Sequence, residues 1–210
     1  VRDGDDWVID GRKRWNSAAQ TVSHNVVFAR TSGEPGEPLG ITAFLVPTDA
    51  PGYRVEFFWW TMNMPADAAE VTLEQVRVPG SAVLGETGAG LIAVQCFVHD
   101  QRMRQAAQSL GAAQYCIDGA VAYARERRTW DRPLGSNQAI RFPLAELQTE
   151  GAMVRALLRA TAAALDERPA TGISHLVAMC NYRANRLACD AADRAMQVCG
   201  GVGYSRHMPF

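Results

Sequence analysis

Around Gly88-Ala89-Gly90 the chain changes the spacing at which its apolar residues recur, and one layer of regular structure cannot satisfy both spacings. Before that point the runs are short and mostly alternate. Trp7-Val8-Ile9 precedes Asp10-Gly11, which reads as a turn. Val26-Val27-Phe28-Ala29 and Ile41-Thr42-Ala43-Phe44-Leu45-Val46 flank a loop rich in Gly, Pro and Glu. Tyr53-Arg54-Val55-Glu56-Phe57 and Ala69-Glu70-Val71-Thr72-Leu73-Glu74 alternate. Such runs, with Gly, Pro and Asp between them, predict a meandering antiparallel sheet. After that point the spacing is helical, over roughly 90–128, 137–166 and 173–199. In the third segment Leu176, Cys180, Ala184, Leu187, Ala188, Ala191, Ala195 and Val198 form a stripe of small side chains, which lets helices approach closely in an antiparallel bundle. Arg132-Pro133-Leu134-Gly135 and Arg168-Pro169-Ala170-Thr171-Gly172 supply the breaks. The expected fold class is α+β: an antiparallel β domain over residues 1–87, then an antiparallel four-helix-bundle-type helical domain over 88–210.

With 210 residues, 48% of them hydrophobic, the chain has material for one large or two modest cores. A net charge of −1 gives no reason to expect nucleic acid or an anionic membrane as partner. No apolar run approaches the roughly 20 residues of a membrane-spanning helix. The opening, Val1-Arg2-Asp3-Gly4-Asp5-Asp6-Trp7, reads as the interior of a longer sequence. Cys96, Cys116, Cys180, Cys189 and Cys199 form no CxxC pair and fall in helical, mostly apolar stretches; buried thiols in a reducing compartment are expected. His24, His99, His175 and His207 are not spaced like metal ligands.

Three short motifs carry possible chemistry, each with a plain alternative. In Gly11-Arg12-Lys13-Arg14-Trp15-Asn16-Ser17, alternation puts Trp15 and Ser17 on one strand face, where an indole can lie against a flat heteroaromatic ring and a hydroxyl can hydrogen-bond it. The alternative is a core Trp beside a surface Ser. In Ala124-Arg125-Glu126-Arg127-Arg128-Thr129-Trp130-Asp131-Arg132, followed by Gln138, arginines crowd a helix end. They either complement the helix dipole or bind an anion through paired guanidinium hydrogen bonds. Gln197-Val198-Cys199-Gly200-Gly201-Val202-Gly203-Tyr204 is either a helix stop or a place where backbone approaches a ligand closely. It is neither a Walker loop nor a Rossmann fingerprint.

Taken in order, with Val76-Arg77-Val78-Pro79 and Leu84-Gly85-Glu86-Thr87-Gly88-Ala89-Gly90 between the first two, these motifs resemble the acyl-CoA dehydrogenase family along nearly the whole chain. That resemblance implies a flavoprotein whose middle β domain is entered partway and whose C-terminal bundle stops before its last helix. It implies FAD as cofactor. Trp15 and Ser17, where the family usually has Thr, match positions against the isoalloxazine ring. Arg127, Thr129 and Trp130 match contacts to the FAD of a neighbouring subunit, with Arg127 near the pyrophosphate; Gln138 matches a further flavin contact. Gln197, Gly200 and Gly201 match the loop around the adenosine end of that flavin. A homodimer or homotetramer follows, since each site draws on two chains.

The implied reaction is FAD-dependent α,β-dehydrogenation of an acyl-CoA thioester to trans-2-enoyl-CoA. The usual electron acceptor is an electron-transfer flavoprotein, and the setting is the bacterial cytosol or the mitochondrial matrix, without membrane insertion. His99, Asp100 and Arg102 match the helix lining the acyl-CoA cleft, although the family tends to have Asp where His99 stands. The family's base is usually a Glu shortly after the glycine loop, which places it beyond Phe210; the other family position for it is Gln101 here, an amide that cannot serve. Two other readings fit the same motifs: a flavin-dependent monooxygenase or oxidase, and a non-catalytic flavin-binding subunit of a heteromeric dehydrogenase.

Overall fold

The alternating runs become strands β1 (Arg2–Asp3), β2 (Asp6–Ser17), β3 (His24–Arg30), β4 (Ile41–Pro47), β5 (Tyr53–Thr61), β6 (Met64–Pro79) and β7 (Val83–Leu84). The structure, a computed structural model, describes the chain except at Asn63, Arg168 and Pro169; the side chains of Met64, Pro65, Ala170 and Thr171 are also outside the described set. The predicted break at Arg168-Pro169 therefore lies outside the described residues. The chain divides into two compact units, Val1–Gln95 and Cys96–Phe210.

In the first unit the strands are antiparallel, as expected, but they do not meander. One sheet has the order β1-β2-β6-β5 and another β3-β4-β7, so β2 pairs with the distant β6. Their inner faces share a core of Trp7, Ile9, Val27, Phe44, Val46, Val71, Leu73, Val76 and Val78, with Trp7 edge-on to Phe44 at 5.4 Å.

One local expectation is corrected, and two runs expected as strands are strands whose burial does not alternate. Asp10-Gly11 is no turn: β2 runs straight through it, and the extra residue sits on β6 as a bulge at Gln75 (φ 53°). The Asp10 carboxylate replaces the lost ladder bonds, accepting from the Gln75 N–H at 2.7 Å and from its side-chain amide. Ala69–Glu74 alternates in sequence but not in burial. As the central strand, β6 is buried on both faces from Ala68 to Leu73, Glu70 and Thr72 included. Tyr53–Phe57 lies on the edge strand β5, where beyond Tyr53 little is covered.

The second period gives α1 (Gly90–Glu126), a hairpin of β8 (Arg128–Thr129) and β9 (Arg132–Pro133), α2 (Gln138–Glu167) and α3 (Ser174–Cys199). At the start of α1, a Cβ on Gly90 would lie 2.6 Å from the Ala43 amide, which explains a glycine in a helix's first turn. In the second unit Ser109 donates to Asn185 and the Asn181 amide to the Arg102 carbonyl, so α1 and α3 run parallel. Gln114 pairs with Gln148 and Cys180 with Thr161, which sets α2 antiparallel to both. The small-residue stripe is buried as Cys180, Ala184, Leu187, Ala191, Ala195 and Val198, packed on Ala106, Leu110, Ala113, Ile117, Ala120 and Ala124. Its first member is Val177, with Leu176 and Ala188 only partly covered. Of the cysteines, Cys116, Cys180 and Cys199 are buried, but Cys96 and Cys189 are exposed: both lie on the outward side of their helices, correcting the expectation of five buried thiols.

Candidate functional site

In the first unit the ladder between β2 and β6 slips again between Lys13 and Asn16, and Trp15 occupies the bulge at φ 60°. The two-residue alternation that would pair Trp15 with Ser17 does not carry through this bulge. A bulky residue in the left-handed region costs about 1–3 kcal/mol and persists where surrounding structure enforces it. Here Trp15 stacks on Trp59 of β5, with ring centroids 5.0 Å apart and planes 21° from parallel. Phe57 meets Trp59 edge-on at 4.8 Å. Trp15 nevertheless remains 56% exposed, and Ser17 is exposed beyond it. Arg14 reaches the buried Glu70 at 3.5 Å. Two polar atoms here are cut off from solvent with no hydrogen-bond partner, the Trp59 Nε1–H and the Thr72 hydroxyl. Lys13 faces the other way, donating to the Phe28 carbonyl at 2.6 Å; burial pushes its amine below the usual lysine range.

In the second unit α1 ends in the arginine-rich segment. Trp130 and Asp131 connect β8 to β9 with φ of 51° and 62°, the twist of a two-residue hairpin turn that Asn-Gly ordinarily makes. Arg128 closes the turn by donating to the Asp131 carbonyl at 2.7 Å. The Trp130 side chain is 97% exposed, so it fills no core. Arg127 is fixed by its backbone, whose N–H reaches the Tyr123 carbonyl and whose carbonyl accepts from Leu134, while no described residue pairs with its guanidinium. Thr129 is half-buried, and Gln138 is the exposed first residue of α2.

The glycine loop separates into roles. Gly200 caps α3 at φ 63°, ψ −140°, a conformation essentially confined to glycine. A Cβ on Gly203 would lie 2.3 Å from the Met196 carbonyl oxygen, so this glycine serves packing. Gly201 faces open space, and Gln197 is exposed one turn earlier. Since α1 and α3 end where α2 begins, Arg127, Thr129, Trp130, Gln138, Gln197, Gly200 and Gly201 share one end of the bundle. A groove of about 440 Å³ between α1 and α2, lined by Ile117, Val121, Arg125, Ile140, Arg141 and Leu144, opens beside them. Arg141 belongs to no motif and comes to this groove only through its position on α2.

The opposite end of α1 carries the remaining candidates. His99 is 2% exposed and, among the described residues, neither ring nitrogen has a hydrogen-bond partner. Asp100 faces solvent in an ion pair with Arg104 at 2.9 Å, and Arg102 is half-buried. At 1.5 Å per residue, Arg102 and Arg127 lie about 38 Å apart along the helix. One chain therefore does not bring its two ends to the same small group.

The chain thus combines a two-sheet β unit that carries a solvent-facing indole with a helical bundle that has a cationic, glycine-rich end. The family description "Acyl-CoA dehydrogenase, C-terminal domain" fits residues 88–210, and "Acyl-CoA dehydrogenase, middle domain" fits residues 1–76. The chain belongs to the acyl-CoA dehydrogenase family. It is 35% identical over 208 residues to the mitochondrial short-chain specific acyl-CoA dehydrogenase of Bos taurus, covering 99% of this chain and 50% of that protein. With the glutaryl-CoA dehydrogenase of Desulfococcus multivorans it shares 32% identity, covering 98% of this chain and 53% of that one. The crystal structure of butyryl-CoA dehydrogenase from Megasphaera elsdenii matches with a TM-score of 0.89 at 27% identity, over 99% of this chain and 54% of that chain. The chain thus spans about half the length of the curated relatives it matches.

Proposed function

We propose that the protein to which this chain belongs carries out FAD-dependent α,β-dehydrogenation of an acyl-CoA thioester to trans-2-enoyl-CoA. One observation carries the reading: in a chain of this family, Trp15 is held on left-handed backbone with a broad surface open and Ser17 exposed beyond it. The residues fit a flavin. Trp15 offers a face for a flat ring, and Arg127 is a cation at a helix end with no partner among the described residues.

When bound, FAD supplies the acceptor for the hydride that leaves the β carbon. The chain supplies position and electrostatics. Trp15 lies against the ring and the Ser17 hydroxyl donates to a ring heteroatom. Arg127 faces the pyrophosphate, with Thr129, Trp130 and Gln138 around it. Gln197, Gly200 and Gly201 hold the adenosine end, where a glycine without a Cβ in the way lets backbone come close. These bundle residues serve the flavin of a neighbouring copy, so the assembly is a homodimer or homotetramer.

His99, Asp100 and Arg102 belong to the helix that lines the acyl-CoA cleft. Neither Gln101, an amide, nor Asp100, paired with Arg104, is placed to take the α proton; the reading assigns that step to a Glu following Phe210. An electron-transfer flavoprotein is the proposed electron acceptor. The full-length protein is expected to be yellow and to bleach anaerobically on addition of a short-chain acyl-CoA, with enoyl-CoA formed in equal amount. Protein that stays colourless after incubation with FAD would sink the proposal.

A further inference from the structure

The run Phe57-Phe58-Trp59-Trp60 belongs to none of the motifs above, yet it supplies the side chain on which Trp15 rests. Trp15 has left-handed backbone that resists a bulky residue, and its own strand register is broken on the near side. Its indole is therefore oriented by what it touches. One of its faces is covered by Trp59 at 5.0 Å, and Phe57 braces Trp59 edge-on at 4.8 Å. With that contact made, Trp15 as a whole still stays 56% exposed. Trp60, the next residue, is 71% exposed and makes no ring contact with the trio.

We propose that Trp59 is a positioning residue for the cofactor site, stacked behind Trp15 and braced by Phe57 so that Trp15 presents its free face at a fixed tilt. This rests on the flavin reading above and adds to it a residue outside the family-like motifs. Stacked aromatic pairs contribute beyond their buried area, and two rigid indoles carry few rotatable bonds to order. The Trp59 Nε1–H is withdrawn from water without an acceptor, a cost that the fold accepts where the ring's placement matters.

The test uses the full-length protein with Trp59→Ala, Trp59→Phe and, as a neighbour control, Trp60→Ala. Two readouts are taken: circular dichroism of the flavin-free protein, in which a stacked indole pair gives an exciton couplet, and FAD affinity with the shape of the bound flavin spectrum. Trp59→Ala is expected to abolish the couplet, weaken FAD about three- to tenfold and alter the flavin spectrum. Trp59→Phe should lose the couplet but recover most of the affinity, because a ring still backs Trp15. Trp60→Ala should change neither. A Trp59→Ala protein that keeps the couplet, or that loses it with FAD affinity and spectrum unchanged, overturns the positioning role and leaves the flavin reading intact. Wild-type protein that binds no FAD overturns both.

Discussion

Trp7 and Trp15 lie on the same strand eight positions apart, and their surroundings separate what a tryptophan does for a fold from what it does for a ligand. Trp7 is buried against Phe44 inside the β core; truncating a core aromatic costs about 3–5 kcal/mol. Trp15 is half exposed and carries backbone strain, so its removal should cost little stability. Trp7→Ala is expected to lower the unfolding midpoint strongly while flavin bound at low temperature keeps its spectrum. Trp15→Ala should do the reverse. Thermal melts alongside flavin absorbance decide it, and equal effects would make Trp15 a core residue. At this scale the candidate site was half legible. Trp15 announced itself through its motif, whereas Trp59 did not, because its contact depends on two register slips in β5 that no local pattern encodes.

Among the elements, apolar period identified β strands and helices correctly wherever one face is buried and the other wet. Where burial is two-sided it still marked the strand but not the burial of its polar positions. Glu70 and Thr72 look like solvent positions but lie inside, on a strand in the interior of its sheet. It failed at Asp10-Gly11, where a turn signal is used instead to bridge a bulge through the Asp10 carboxylate. The glycine loop after α3 shows the same ambiguity resolved by space. Gly203→Ala would drive a methyl group to 2.3 Å from the Met196 carbonyl, which forces backbone to move. Gly201→Ala meets nothing. We expect Gly203→Ala to destabilise the bundle by about 1–3 kcal/mol, as overpacking does, with Gly201→Ala within about 0.5 kcal/mol of wild type. Under the proposed reading only Gly201→Ala weakens FAD without a stability loss. Denaturant titrations and FAD titrations on the pair check both halves.

Across the molecule, the spacing of the candidate residues bears on assembly. The arginine hairpin and glycine loop share one bundle end, and His99, Asp100 and Arg102 sit about 38–42 Å away along α1. Under the proposed reading the bundle end serves a neighbouring copy's flavin, while the acyl-CoA cleft lies at the other end of α1. A site completed by a second copy would make binding and assembly thermodynamically linked, since a ligand held by two chains stabilises their association. FAD should therefore lower the dimer dissociation constant, and apo protein should dissociate at concentrations where the loaded protein stays associated. Arg127→Ala tests this because its guanidinium has no partner among the described residues to lose. A charge-assisted hydrogen bond is worth roughly 1.5–3 kcal/mol, so the variant should weaken FAD by about ten- to a hundredfold. It should also shift the FAD-dependent dimerisation, while the melting temperature of the apo protein stays near wild type. Sedimentation velocity across a dilution series, with and without FAD, reads both effects together. Tight FAD binding to a strictly monomeric protein, or an Arg127→Ala protein that binds FAD as wild type does, would show that the bundle end serves no neighbour's flavin.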